Sequence, residues 1–190
     1  MSVTVANLIM GPGVLYTGAF GATEPADAAV NAAPAASAWT DAGATDSGLM
    51  LEVDQTLTVL SCDQVVDTVG RRLTARDITL TSNLAEPTLA NLALSLNSTV
   101  GATGANFAVY EPVFSGTATS QLPYIAAMLD GFAPASVPNA RRRVIMRRVL
   151  NTGKVDMTYA KDKQTFVPVV LGAHYVSPTT APIHVVDQTA

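Results

Sequence analysis

Residues Gly48–Asn97 read GLMLEVDQTLTVLSCDQVVDTVGRRLTARDITLTSNLAEPTLANLALSLN, and the alternation inside this stretch decides the fold. Leu49, Leu51, Val53, Leu57 and Val59 alternate with Glu52, Asp54, Thr56 and Thr58. That is the period of two of a strand with one face buried against the core and one wet face. Further on, Ile78 and Leu80 alternate with Asp77, Thr79 and Thr81, and the β-branched content favours strand over helix. The intervening Cys62–Arg72 is too long for a two-residue turn and is expected to project as a loop turning at Gly70. A helix is expected over residues 87–97. Pro87 suits a first helical position, Glu86 sets a negative charge at the positive end of the dipole, and Asn97 is a stop. Its apolar stripe reads Leu89, Leu92, Ala93 and Leu96.

On both sides of this unit the chain is strand-like. Val3–Met10 precedes a Gly-Pro-Gly break, and Val14–Phe20 is a short aromatic strand. Residues 22–47 are rich in Ala, Pro, Asp, Thr and Gly and form a long loop, with Trp39 as its anchor to the body. Phe107–Phe114 reads as a strand. Leu122–Phe132 reads as a short helix ending near Gly131, or as a strand, with helix preferred. Arg141–Leu150 (RRRVIMRRVL), Lys154–Ala160 and Phe166–Val176 are three further strands, the last with Pro168 marking an edge or bulge. Residues 177–190 read as an extended arm able to dock on a neighbour. The sum is one domain, mainly β, with about seven to nine strands in an antiparallel sandwich or barrel-like body and a helix on its side.

Composition narrows the function. Charged residues make up only 14% of the 190-residue chain and hydrophobic residues 48%. Soluble domains average roughly 25% charged, so much of this surface is expected to be covered by other subunits. Residues 1–70 hold eight acids and no Lys or Arg, whereas residues 139–163 hold eight of the 11 basic residues. Either two surfaces of opposite sign result, suited to head-to-tail assembly, or folding mixes the halves. No segment reads as membrane-spanning or as a signal peptide. The single cysteine, Cys62, has no partner in the chain and fits a reducing compartment.

Motifs for chemistry are missing. There is no GxGxxG, P-loop, HExxH, CxxC or GxSxG. His174 and His184 stand in apolar strand-like contexts, and Cys62 lies beside Asp63 with no base nearby in sequence. Glu52 and Asp54 share a threonine-flanked, solvated face, unlike a catalytic pair in which burial perturbs one member. No catalytic, metal-binding or cofactor-binding residue is assigned, and an enzyme is not expected. RRRVIMRR places arginines on both faces of a strand without interleaved aromatics, which favours interface ion pairs over nucleic-acid binding.

Several segments, taken in order, resemble the tail tube (major tail) proteins of long-tailed, siphovirus-type bacteriophages. They are GPGVLYTGAFGATEPAD, AWTDAGATDSG, the strand–loop–strand unit, RRLTARDITLTSNLAEPTLANLAL and RRVLNTGKVDMTYAKDKQTFVPVVLGAHYVS. Together they cover most of the chain. The resemblance implies a two-sheet β-sandwich flanked by a helix. It implies hexameric rings stacked into the tube that conducts DNA during ejection, in a virion tail assembled in the host cytoplasm. Partners would be other copies of the chain, tape-measure and tail terminator proteins, and passing DNA, with no membrane. A head decoration or head–tail connector protein is the alternative.

On this reading Glu52, Asp54, Thr56, Thr58, Asp77 and Thr79, opposite the apolar face, would line the lumen, where carboxylates repel phosphates. Asp63, Asp67, Arg71, Arg72, Arg143, Arg147 and Arg148 are the inter-subunit candidates. Asp41–Asp46 or Asp63–Asp67 of one ring would meet Arg141–Arg148 of the next.

Overall fold

The computed structural model describes residues 3–111, 122–134 and 139–189. These residues form eight strands: β1 (Val14–Ala19), β2 (Trp39–Asp41), β3 (Thr45–Cys62), β4 (Val65–Leu84), β5 (Ile125–Phe132), β6 (Arg141–Asn151), β7 (Val167–Ala173) and β8 (Ile183–Asp187). They form one antiparallel sheet in the order β2-β1-β5-β6-β7-β4-β3, with β8 added to β6. The fold is therefore mainly β, as the alternation indicates, built on a single hydrogen-bonded sheet.

Strand β6 is where this sheet forks. One edge pairs with β5 along its length. The other edge is divided: Arg142–Met146 pair with β8, and Val149–Asn151 pair with β7. A bulge marks the change. Ala127 stands opposite Met146 while Ile125 stands opposite Val149, so β6 carries one extra residue there. Met146 and Val149 consequently face the same core, although strict alternation assigns them to opposite faces.

That core takes Leu15 from β1, Ala127 from β5, Met146 and Val149 from β6, Val167, Val169 and Leu171 from β7, and Ile78, Leu80 and Leu84 from β4. Strands near opposite ends of the sheet thus share one interior, which requires the sheet to curl. The segment after β2 seals the seam: Ala42 N–H donates to the Leu15 carbonyl and Ala85 N–H to the Ala44 carbonyl. The opposite face, with Ala126, Met128 and Ile145, packs under Trp39, Ala22 and Ala38. Trp39 is the anchor expected, and its indole N–H donates to the Thr23 carbonyl at 2.9 Å. Gly18 lies beneath it, where a β-carbon would come within 2.7 Å of the Ala38 carbonyl oxygen.

The helix α1 spans Leu89–Ser95. Its cap is Thr88, whose hydroxyl accepts from Asn91 N–H, so Pro87 and Glu86 precede the helix. Asn97 does end it: at φ 53° it sits in a Schellman turn, with Asn97 N–H donating to the Leu94 carbonyl and Ser98 N–H to that of Ala93. Asn91, Ala93 and Ser95 are the buried positions and Leu94 reaches the core, while Leu96 is exposed. Backbone partners, beyond hydropathy, set this face. Asn91 Nδ2 donates to the carbonyls of Ala42 and Glu86, and the Ser95 carbonyl accepts from Asn151 Nδ2.

Other expectations are corrected. Leu122–Phe132 supplies β5, not a helix; its apolar residues are buried on both faces, which hides the period of two. Val3–Met10 is no strand and contains a 3-10 turn over Val5–Asn7. Lys154–Ala160 is no strand either. Val155 and Met157 turn inward against the core, but within this stretch only Ala160 forms a bridge, to Lys163. Residues 112–114 of the expected strand Phe107–Phe114 lie outside the described residues, and its remainder holds one bridge, Thr103 to Ala108. The supposed terminal arm contains β8, docked on its own β6.

Candidate assembly surface

Strands β3 and β4 are far longer than the body that supports them. β7 covers β4 only from Thr79 to Leu84. Beyond Ile78 the two strands pair, among the described residues, only with each other, joined by a tight turn at Asp63–Gln64 with Cys62 paired to Val65. The expected loop Cys62–Arg72 is therefore strand, and Gly70 sits opposite Leu60 in mid-ladder. The low period-two signal there reflects exposure on both sides, since residues 51–69 are all exposed. At ~3.4 Å per residue, the segment from Asp54 to Cys62 extends roughly 30 Å from the body.

Directly paired residues share a face. Glu52 pairs with Thr79, Asp54 with Asp77 and Thr56 with Ala75, so all six lumen candidates, Thr58 included, lie on one side. A bulge follows. Thr56 opposes Ala75 but Leu57 opposes Leu73, leaving Thr74 as the extra residue; its hydroxyl donates to the Thr56 carbonyl at 3.1 Å. The extra residue reverses the parity of β4 and carries Arg72, opposite Thr58, onto the acidic face. Asp54 and Asp77 face each other across the ladder, a like-charge pair that disfavours the isolated hairpin.

The reverse face holds Leu51, Val53, Leu57, Val59 and Leu73, with Gln55, Arg76 and Arg71 interspersed among them. It was expected against the core. Only its base reaches that core, through Ile78 and Leu80; the rest extends past the body and is about half exposed. At the base, Ser47 and Gly48 adopt positive φ where the register shifts between Asp46 and Met50, so the arm leaves the body through an irregularity that favours glycine.

Two common edge-blocking residues are missing along this arm. Among the described residues, the outer edge of β3 has no partner strand, and neither does the outer edge of β4 beyond Thr79. Residues 45–84 contain no Pro and no Lys, the residues that commonly block edge-to-edge pairing. Asp63, Asp67, Arg71 and Arg72, four of the inter-subunit candidates, occupy this exposed distal half, as does Cys62. Sequence reading missed Leu60, Val65, Val66 and Val69 as part of the surface; the signal was the run 49–69, free of Gly, Pro, Lys and Arg.

The arginines of β6 are used differently from expectation. Arg143 is buried, with a bidentate bond to Asp130 at 2.7 and 2.6 Å and further donation to the carbonyls of Ala29 and Ala32. No side-chain surface remains for another subunit. Arg147 holds Glu24, and Arg142 holds Asp187. Arg148 stacks over the Tyr124 ring at 3.8 Å and donates to the Tyr175 carbonyl. His184 Nε2 lies 2.9 Å from Asp27. The contacts of Arg143, Arg147 and His184 strap residues 22–38 across the outer face. They also mix part of the acidic and basic halves; the acids of residues 41–67 lie on and beside the projecting arm, which carries Arg71, Arg72 and Arg76 as well. Hydrogen bonds from Arg147 and from Arg142 hold the carboxyls of Glu24 and Asp187 below their ordinary ranges.

Among the described residues no cluster of His, Cys, Asp or Glu is arranged to hold a metal, and no helix is long and apolar enough to cross a membrane. No protein-family model matches the chain, and no curated protein matches it in sequence.

Proposed function

We propose that this chain is a tail tube subunit of a siphovirus-type phage, a structural protein that closes into hexameric rings and stacks them into the conduit for DNA. The observation that carries the proposal is the projecting β3–β4 arm. A two-stranded ribbon is marginal in water by itself. Among the described residues this one exposes a largely apolar face and two edges without a partner strand. Rotation about a ring axis sets β3 of one copy beside β4 of the next, so the antiparallel order continues from copy to copy. The ribbon then gains the strands it lacks.

In the ring the acidic and threonine face, Glu52, Asp54, Thr56, Thr58, Asp77 and Thr79 together with Arg72, lines the lumen, and the apolar face turns outward against the bodies. Carboxylates on the lumen wall keep DNA phosphates from adhering. The two-sheet sandwich is what the resemblance implies; the curl of the single sheet, with its fork on β6, supports that reading. The hexameric number, the tape-measure and terminator partners and the place in the virion come from the resemblance.

Negative-stain microscopy of the purified chain tests the proposal. Hollow tubes or stacked rings are expected. Closed rings that never stack would favour the connector or decoration class, and a persistent monomer at high concentration would overturn self-assembly.

A further inference from the structure

We propose that residues 22–38 form an ionic latch, a strap that lifts off the outer face while the sheet beneath stays folded, released when Glu24 and Asp27 lose their charge. This goes beyond the assembly reading and does not depend on it.

The strap is attached by side chains and not by a ladder. Among the described residues, the backbone–backbone hydrogen bonds of residues 23–37 all stay local, as in Ala29 N–H to the Ala26 carbonyl and Trp39 N–H to that of Ala35. Nine of the 17 residues of 22–38 are alanine, and from Thr23 to Ser37 only Val30 is buried. Burying a methyl group contributes little, so apolar packing holds the strap weakly. Val30 itself borders a gap of about 130 Å3 that is lined also by Val14, Tyr16 and Asp130.

The remaining attachment is polar. Arg147 of β6 holds Glu24 at 2.5 and 2.9 Å, and His184 of β8 meets Asp27 at 2.9 Å. Arg143 of β6 donates to the carbonyls of Ala29 and Ala32. Among the described residues Arg147 and His184 are the charged or titratable groups that face the two strap carboxylates from the strands below; Glu24 and Asp27 also repel each other.

Opening strands no buried charge. Arg143 keeps its bidentate bond to Asp130, and Arg147 keeps the Ala181 carbonyl. Glu24 and Asp27 pass into water. Both ends of the strap stay in place, because the buried Trp39 closes one end and its indole N–H holds the Thr23 carbonyl at the other. A segment so attached opens at a lower free energy than the whole domain. The tie of Arg147 to Glu24 is present above the lowered folded pKa of that carboxyl and is lost as pH falls through it, so acid favours the open strap.

Thiol labelling of the unassembled full chain tests the latch. In a Cys62→Ser background, Val30→Cys reports on the strap and Val169→Cys, at 1% exposure in the core, reports on the sheet. At pH 7 Val30→Cys is expected to react with dipyridyl disulfide on the order of tenfold faster, or more, than Val169→Cys; equal rates mean that strap and sheet open together, and the latch is then wrong. Adding Glu24→Gln should speed Val30→Cys by about fivefold and leave Val169→Cys unchanged, and no change at Val30→Cys would equally overturn it. On acidification Val30→Cys should accelerate at a higher pH than Val169→Cys; acceleration of both at one pH would sink acid release. Hydrogen exchange of the wild-type chain makes the same comparison without new cysteines, the amides of Ala29, Val30 and Ala32 against those of β6. These rates are read on the unassembled chain, so their failure leaves the tube reading standing, and a chain that never forms tubes leaves the latch standing.

Discussion

Replacing Arg143 by Ala removes the one cation buried in the described body, at 2% side-chain exposure, and leaves Asp130, at 12%, without its bidentate partner. It also strips donors from the Ala29 and Ala32 carbonyls. Breaking a buried pair from one side costs about 3–5 kcal/mol, because the remaining charge stays out of water. Arg143→Ala is expected to lower stability by that amount. Urea denaturation followed by the fluorescence of Trp39, the single tryptophan, measures it. The double variant Arg143→Met, Asp130→Leu removes both charges at similar volume and should recover most of the loss. It does not restore the bonds to Ala29 and Ala32. Residues 22–38, which lack Lys and Arg but are rich in Ala, should therefore still be cut faster than wild type by elastase. An Arg143→Ala variant within about 1 kcal/mol of wild type would refute the reasoning, since exposed pairs contribute no more than that.

Three further outcomes are expected. Glu24 and Asp187 bind protons less readily folded than unfolded, so their stabilisation is present above the ordinary carboxylate pKa, ~4, and is lost as pH falls through the lowered folded values; urea midpoints should drop across that window, and Glu24→Gln with Asp187→Asn should flatten the slope. Asn151→Ala frees the Ser95 carbonyl and the Val170 N–H, which the Asn151 amide now satisfies, and should destabilise by about 1–3 kcal/mol in thermal or urea unfolding. Glu52→Lys with Asp54→Lys should leave tubes assembled while slowing genome ejection in a single-particle assay; unchanged ejection kinetics would count against an acidic lumen wall.

The alternation from Leu49 to Val59 and from Asp77 to Thr81 was readable because those strands carry one polar and one apolar side, and hydropathy sees that contrast. The same signal fails in β5, where Ala126, Ala127, Met128 and Leu129 are buried or partly buried on both faces, and at Cys62–Arg72, where both faces are wet. It fails again in RRRVIMRRVL. There a bulge breaks parity, and Arg143 is neutralised by Asp130, a partner set by register and not by sequence distance.

The sequence by itself determined the strand class, the amphipathic hairpin, the stop at Asn97 and the charge asymmetry, because each is a local pattern. Only the tertiary structure decided which strands pair, where β6 forks, how far β3 and β4 outrun the body, and which arginines stay inside. Those outcomes depend on contacts between residues distant in the chain. Only when the neighbouring strands are in place does a polar residue such as Arg143 become buried, or an apolar one such as Val59 stay exposed.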